Sequence, residues 1–379
     1  MEFETKVQFL TQPEHNRRTI VISDIHGHRA WLEKLLKKVD FSEKDILIIV
    51  GDMIEKGPES LNTIRYIMEL CEKYTVYPMM GNVDLWRIQM LLTEDGSLDQ
   101  ELYETNERMR QYWKATFFQD LCREAGVSVK TPEEIPAARE AVVAKFQKEF
   151  TFMKELPTIL VTPVFTFVHG GLVHEKLEDN FHLPPFQLLK NDNFINQGKH
   201  FDKYVVVGHW PVCLYRSDIE SSAPYISEEQ KIIAIDGGCG IKRDDQLNAL
   251  IIPDLYSEET IWESVDDFPE AVVLEDQEAG ASSINIRYYE SELKILEPGP
   301  VFSLAEHIKT GYQLKIYNGF LEEPPVKGAP NTCWEYTDYQ ITLKKGDRVS
   351  VLQKTPEGTM VRKRGVTGWY YGKLEEAEK

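Results

Sequence analysis

Thr19-Ile20-Val21-Ile22-Ser23-Asp24-Ile25-His26-Gly27 decides the reading of this chain. An apolar run short enough for a buried strand stops abruptly, and the residues that follow it carry a carboxylate and an imidazole. The same grammar recurs downstream. Ile46–Val50 ends in Gly51-Asp52, Val76–Met80 in Gly81-Asn82, Phe165–Val168 in His169-Gly170-Gly171, and Tyr204–Val207 in Gly208-His209. Between the first of these runs lie amphipathic stretches of helical period, with Trp31, Leu32, Leu35, Leu36 and Val39 on one face and Leu61, Ile64, Ile67, Met68 and Cys71 on the next. Apolar strands alternating with such helices predict an α/β fold.

In a largely parallel sheet the carboxyl ends of neighbouring strands converge on one crevice, where ligands bind. Five strand ends bearing oxygen or imidazole donors therefore predict one site. Asp24, His26 and Asp52 would hold one metal ion. Asp52, as a bridge, would serve a second ion with Asn82, His169 and His209. The nitrogen and oxygen mixture suits Mn, Fe or Zn better than magnesium. Two such ions about 3.5–4 Å apart would clamp a phosphoryl group and supply hydroxide at neutral pH.

These residues resemble the calcineurin-like metallophosphoesterases, in their phosphoprotein-phosphatase branch. The motif order is Asp24-Ile25-His26-Gly27, Gly51-Asp52-Met53-Ile54-Glu55-Lys56-Gly57, Gly81-Asn82-Val83-Asp84, His169-Gly170-Gly171 and Gly208-His209. The stretch from Gly57 to Tyr66 is similar to bacterial symmetrical diadenosine-tetraphosphatases, and Ile235–Gly240 with Leu247–Leu250 resembles the branch's closing strands. The resemblance covers roughly residues 19–255. It implies a four-layered α-β-β-α sandwich, a dinuclear site, and a phosphorylated small molecule or phosphoprotein as substrate. It further implies catalytic roles around Asp52, Glu55 and Lys56, and phosphate contacts from Asn82 and Lys56.

Two departures matter. The family's histidine after the asparagine is Val83 here, and its Asp-Arg pair is Glu55-Lys56. Valine donates no proton, and lysine keeps the charge of arginine without its two-pronged fork. A general acid is typically worth about 10²–10⁴-fold, so the metal half of the machinery is present and the acid half is not. His28 either reaches the site or lies in a solvated loop. Arg87 either supplies the missing fork or sits on a helix surface. Nucleoside polyphosphates and diesters are the favoured substrates on this reading. The competing reading is a metal-stabilised module that binds phosphate or peptide with little turnover.

The domain organisation expected is a metallophosphoesterase domain over 1–258 with a helical cap inserted at about 86–156, a β-rich connector over 259–309, and a small C-terminal unit over 310–379. Leu343–Val351 and Trp369–Leu374 resemble parts of an SH3-like β-barrel, with a peptide as its possible partner. A missing strand would come from upstream, at Leu314–Tyr317, and the last five residues would form a frayed tail.

The chain has 379 residues and a net charge of −19, a field that disfavours a nucleic-acid duplex as partner. Its five cysteines show no CxxC spacing and read as thiols of a reducing compartment. The first residues lack the pattern of a signal peptide and no apolar run reaches membrane-spanning length. A cytoplasmic location away from membranes is the expectation.

Overall fold

The computed structural model describes residues 3–113 and 115–377. They form two compact units, Met1–Pro211 with Pro224–Asp266, and Val212–Ala223 with Asp267–Lys379.

The first unit opens with β1 (Val7–Phe9), β2 (Thr19–Ile22), α1 (Arg29–Lys38), β3 (Ile46–Ile49), α2 (Ser60–Lys73), β4 (Thr75–Pro78) and α3 (Asn82–Leu92). Helices α4 (Asp99–Trp113), α5 (Phe117–Ala125), α6 (Ile135–Lys145) and α7 (Gln147–Glu155) follow. Then come β5 (Ile159–Val161), β6 (Phe165–Val168), α8 (Pro185–Leu189), β7 (Tyr204–Val207), β8 (Tyr225–Ser227), β9 (Ile232–Ala234), β10 (Leu247–Ile252) and β11 (Ile261–Val265).

Two sheets result. One has the order β11-β10-β2-β3-β4, with β2, β3 and β4 parallel; the other runs β1-β5-β6-β7-β9-β8, with β6, β7 and β9 parallel. Every residue of β2, β3, β6 and β7 is buried, which is why these segments are mostly apolar, with only Thr19 and Thr166 breaking the run, rather than alternating. Val21, Ile46 and Ile48 of one sheet share a core with Phe165, Phe167 and Val206 of the other. On the opposite face of the first sheet, Ile20, Ile22, Leu47 and Ile49 pack with Leu32, Leu35, Ile64 and Ile67 of α1 and α2. Full burial of each such aliphatic side chain contributes about 1.5–3 kcal/mol.

The 86–156 region is helical. Phe117, Phe118, Ile135, Val142, Phe146 and Met153 belong to the same core as α1 and α2. Local signals set these helices. Thr116 caps α5 by accepting from Gln119 N at 3.1 Å, and Gly126, at φ +74°, ends it in the left-handed conformation that glycine adopts without strain.

The second unit contains β12 (Glu270–Val273), β13 (Asn285–Ile286), β14 (Glu292–Glu297), β15 (Phe302–His307), β16 (Gln313–Tyr317), β17 (Pro330–Thr332) and β18 (Tyr336–Thr337). It closes with β19 (Arg348–Lys354), β20 (Thr359–Lys363), β21 (Val366–Tyr370) and β22 (Leu374–Glu376). Its largest sheet has the order β21-β20-β19-β12-β22, and a four-stranded sheet has the order β16-β15-β14-β17. Among the described residues no ladder joins β21 to β22, so no closed barrel is found.

Three expectations change here. Leu314–Tyr317 lies in the four-stranded sheet, and the upstream strand that pairs with β19 is β12. A boundary at 310 would cut between β15 and β16 of one sheet, while 259–309 is divided, β11 belonging to the first unit and β12 to β15 to the second. Glu375 and Glu376 are not a tail but pair with Val272 and Ala271; the final two residues lie outside the described residues. Trp369 and Tyr370 are buried in the cores of this unit.

Candidate metal centre

Register brings the donors level. Ile22 pairs with Ile49 and Ile49 with Pro78, so the residues after β2, β3 and β4 emerge side by side. The parallel pairing of β6 with β7 does the same for His169 and His209. The loops are then cross-bonded: His26 N donates to Asp52 O at 2.9 Å, Asp24 N to Gly51 O at 3.1 Å, and Gly208 N to His169 O at 2.9 Å.

The chain accepts backbone strain to do this. Asp24, His26, Asp52 and His209 have φ of +52°, +46°, +50° and +66°, a region that costs non-glycine residues of order 1–3 kcal/mol each. Close approach also requires glycine at two points. A Cβ on Gly81 would lie 2.0 Å from Asp52 N, and one on Gly208 would lie 2.2 Å from Asp24 Oδ2.

Asp24, His26 and Asp52 are buried, and their donor atoms lie within 4.8 Å of one another. His26 Nε2 is 3.8 Å from Asp24 Oδ1 and 3.7 Å from Asp52 Oδ2. On the other side of the same carboxylate, His169 Nε2 is 3.4 Å from Asp52 Oδ1 and 3.0 Å from Asn82 Oδ1. His209 stacks edge-on against His169 with centroids 5.4 Å apart, and its backbone N donates to Asp24 Oδ2 at 3.0 Å.

The ring orientations favour cation binding. His26 Nδ1 faces Ile54 O at 3.1 Å and His169 Nδ1 faces Val50 O at 2.7 Å. A carbonyl accepts only, so each Nδ1 carries a hydrogen and Nε2 is the nitrogen each ring turns toward Asp52, where it would offer its lone pair to a bound cation. Asp24 Oδ1 is buried without a hydrogen-bond partner, an arrangement costly for a carboxylate unless a cation meets it.

Electrostatics agree. Burial, then the Asp52 charge, raises the Asp24 carboxyl to about 6 against the pull of His169. Burial would lower His169, but the Asp52 and Asp24 carboxylates lift it to about 10. Burial also pushes Asp52 up, yet His169 and His26 hold it far below the usual carboxylate range. Burial and Lys56 press His26 down. The donor set is short of positive charge, and divalent cations fit it.

The remaining predicted residues fall in different places. Lys56 reaches the cluster, its Nζ 3.0 Å from His26 Nε2. His28 is half-buried on the turn after His26, with Nδ1 3.2 Å from Ile25 O and its ring against Trp31. Arg87 is neither a surface residue nor open to a ligand. It is fully buried and pairs through Nε with Glu55 Oε1 at 2.6 Å, and Glu55 is equally buried. Val83 stands in the first turn of α3, where its N–H donates to Asp52 Oδ1 at 2.9 Å. Asp84 caps that helix instead of facing the cluster, accepting from Gly81, Met53 and Ile54 N–H groups.

Sequence reasoning missed two carboxylates. Asp192 accepts from His209 Nε2 at 2.7 Å. Asp236 is fully buried, with Oδ1 accepting from Gly238 N and its carboxyl raised by burial and by Asp24. Only the Asp-Gly-Gly turn in which Asp236 sits gave any hint.

A family model described as calcineurin-like phosphoesterase matches residues 17–231. The chain belongs to this family. Among curated relatives, a symmetrical bis(5'-nucleosyl)-tetraphosphatase of Shewanella loihica is 46% identical over 68 residues, 18% of this chain and 24% of the relative. One of Coxiella burnetii is 34% identical over 92 residues, 24% of this chain and 30% of the relative. These matches span less than a third of the relatives' length. A protein serine/threonine phosphatase structure from Saccharomyces cerevisiae is 13% identical, with a TM-score of 0.40 over 70% of this chain and 84% of that one. Calcineurin-like phosphoesterases use divalent metals, in keeping with the clustered Asp24, His26 and Asp52. Among the described residues no helix is long and apolar enough to cross a membrane.

Proposed function

We propose that this calcineurin-like phosphoesterase is a two-metal phosphohydrolase that cleaves phosphoester or phosphoanhydride bonds, with nucleoside polyphosphates or diesters as favoured substrates. The observation that carries the reading is the Asp52 carboxylate, which faces His26 Nε2 on one side and His169 Nε2 on the other. Asp24, His26 and Asp52 would hold one ion; Asp52, Asn82, His169 and His209 would hold the second. Divalent ions there supply Lewis acidity for a phosphoryl group and lower the pKa of water.

The chain's own residues do the rest. Asn82 and Lys56 stand at the cluster to bind phosphate oxygens, and Lys56 supplies the charge of the family's arginine. The buried Glu55–Arg87 pair ties the Asp52–Lys56 loop to α3, so Glu55 positions that loop. With Val83 beside Asn82, the leaving oxygen must bear its charge with little help. Half-buried His28 is the remaining candidate for a proton donor or substrate contact at the rim.

The second unit carries a separate proposal, an SH3-like module with a peptide partner. The antiparallel order β21-β20-β19-β12-β22 supports an SH3-like reading of the second unit. Within that unit a cavity of about 350 Å³ is bordered by Phe302, Tyr336, Tyr371, Asp338 and Glu357, which suits a peptide.

Incubation of the purified chain with Mn²⁺ and a dinucleoside tetraphosphate, an aryl diester or a phosphoserine peptide separates the readings. Multiple turnover of any of them is the expected result. Tight binding of inorganic phosphate with no turnover on any ester would replace the enzyme with the module.

A further inference from the structure

His209 is oriented differently from the other two imidazoles of the cluster. His26 and His169 are fixed by backbone carbonyls, those of Ile54 and Val50. The His209 ring instead presents Nε2 to a side-chain carboxylate, Asp192 Oδ1, at 2.7 Å. Because the carboxylate accepts, Nε2 carries the hydrogen and the lone pair is left on Nδ1, the opposite nitrogen from the one the other two rings offer. The ring is 7% exposed and the carboxylate 48%, so the pair sits at the rim, with the ring turned inward.

The carboxylate is itself held. Lys190 Nζ forms an ion pair with Asp192 Oδ1 and lies 3.3 Å from His209 Nε2. Gln197 Nε2 donates to Asp192 O at 3.0 Å and to Asn191 Oδ1 at 2.7 Å. The loop begins at α8, whose Leu188 O accepts from both Gly170 N and Gly171 N at 3.0 Å. A Cβ on Gly170 would lie 2.4 Å from Leu189 O, so this approach needs glycine. The turn after His169 therefore anchors the loop that orients His209.

We infer that Asp192, steadied by Lys190, is a positioning residue that fixes the ring of His209 and adds negative charge to it as a metal ligand. The inference rests on the two-metal reading of the donor cluster. It concerns the ion bound by His209 and leaves the ion bound by Asp24 and His26 untouched.

Calorimetric titration of the metal-free chain with Mn²⁺ tests it, alongside Asp192→Ala and Asp192→Asn. The unaltered chain is expected to bind two ions. Asp192→Ala should weaken one of them by about 10–100-fold, the usual cost of removing such an outer partner, and leave the other unchanged. Asp192→Asn keeps an acceptor for the Nε2 hydrogen without the charge and should fall between. The melting temperature should hold in both variants, since the side chain is half-exposed. Unaltered affinities for both ions in Asp192→Ala would overturn the inference while the metal reading stood. Equal weakening of both ions with a lower melting temperature would overturn it too, by making the role structural. Failure of the unaltered chain to bind Mn²⁺ at all would instead remove the metal reading on which it rests.

Discussion

Asp52→Asn should strip the site of metal and abolish hydrolysis while the chain stays folded. One carboxylate faces both halves of the cluster, with Oδ2 3.7 Å from His26 Nε2 and Oδ1 3.4 Å from His169 Nε2. Its Oδ1 also accepts the Val83 N–H at 2.9 Å, a bond the amide oxygen of asparagine can keep. Size, shape and the tie to α3 are thus preserved, and what disappears is the charge shared by two ions. The loss should exceed the roughly 10–100-fold that removing an outer partner costs. Elemental analysis and turnover measured on the same preparation check this. A variant that kept two ions and near-normal rates would place the bridge elsewhere.

The second large effect concerns the leaving group. Rate should depend steeply on how well the departing oxygen bears negative charge. Val83 provides no proton, and Glu55 is committed to Arg87 in a pair that excludes solvent. A phosphoanhydride releases a phosphate whose second pKa is about 6, so it needs little assistance; a phosphoserine peptide releases an alkoxide and needs much. Aryl esters, activated diesters and nucleoside polyphosphates should therefore outpace phosphoserine peptides by about 10²–10⁴-fold, the usual worth of a general acid. Val83→His should narrow the margin by speeding the poor leaving groups selectively. Glu55 is best left alone in this experiment, because breaking one side of a buried ion pair costs about 3–5 kcal/mol. Equal rates across leaving groups in the natural chain would point to a substitute acid, with His28 first in line, or to a slow step other than bond cleavage.

The strand ends were legible because two physical demands coincide there. A strand buried on both faces is mostly apolar, and the donors that follow it must be polar, so Ile22 giving way to Asp24 and His26 marks the boundary. The helices of the first unit were legible from their apolar faces, although periodicity could not tell whether residues 86–156 stood apart or shared the main core. Pairings between distant residues left no such trace. Glu55 and Arg87 are 32 positions apart, and nothing local to α3 distinguishes a buried arginine from a surface one. Asp192 lies in a polar loop whose composition fits any exposed turn. In the second unit β12 is a four-residue strand in an acidic stretch, yet it pairs with β19, far along the chain. A short strand chosen by a remote partner has no periodicity long enough to read.

The most direct test of the central claim counts metal and follows activity through its removal. The chain should carry two divalent ions when purified in Mn²⁺, and a chelator should remove them and stop the hydrolysis of a dinucleoside tetraphosphate. Added Mn²⁺ should then restore both. Undiminished turnover by metal-free protein would contradict the account, as would failure of the intact Asp24, His26, Asp52, Asn82, His169 and His209 set to bind any ion.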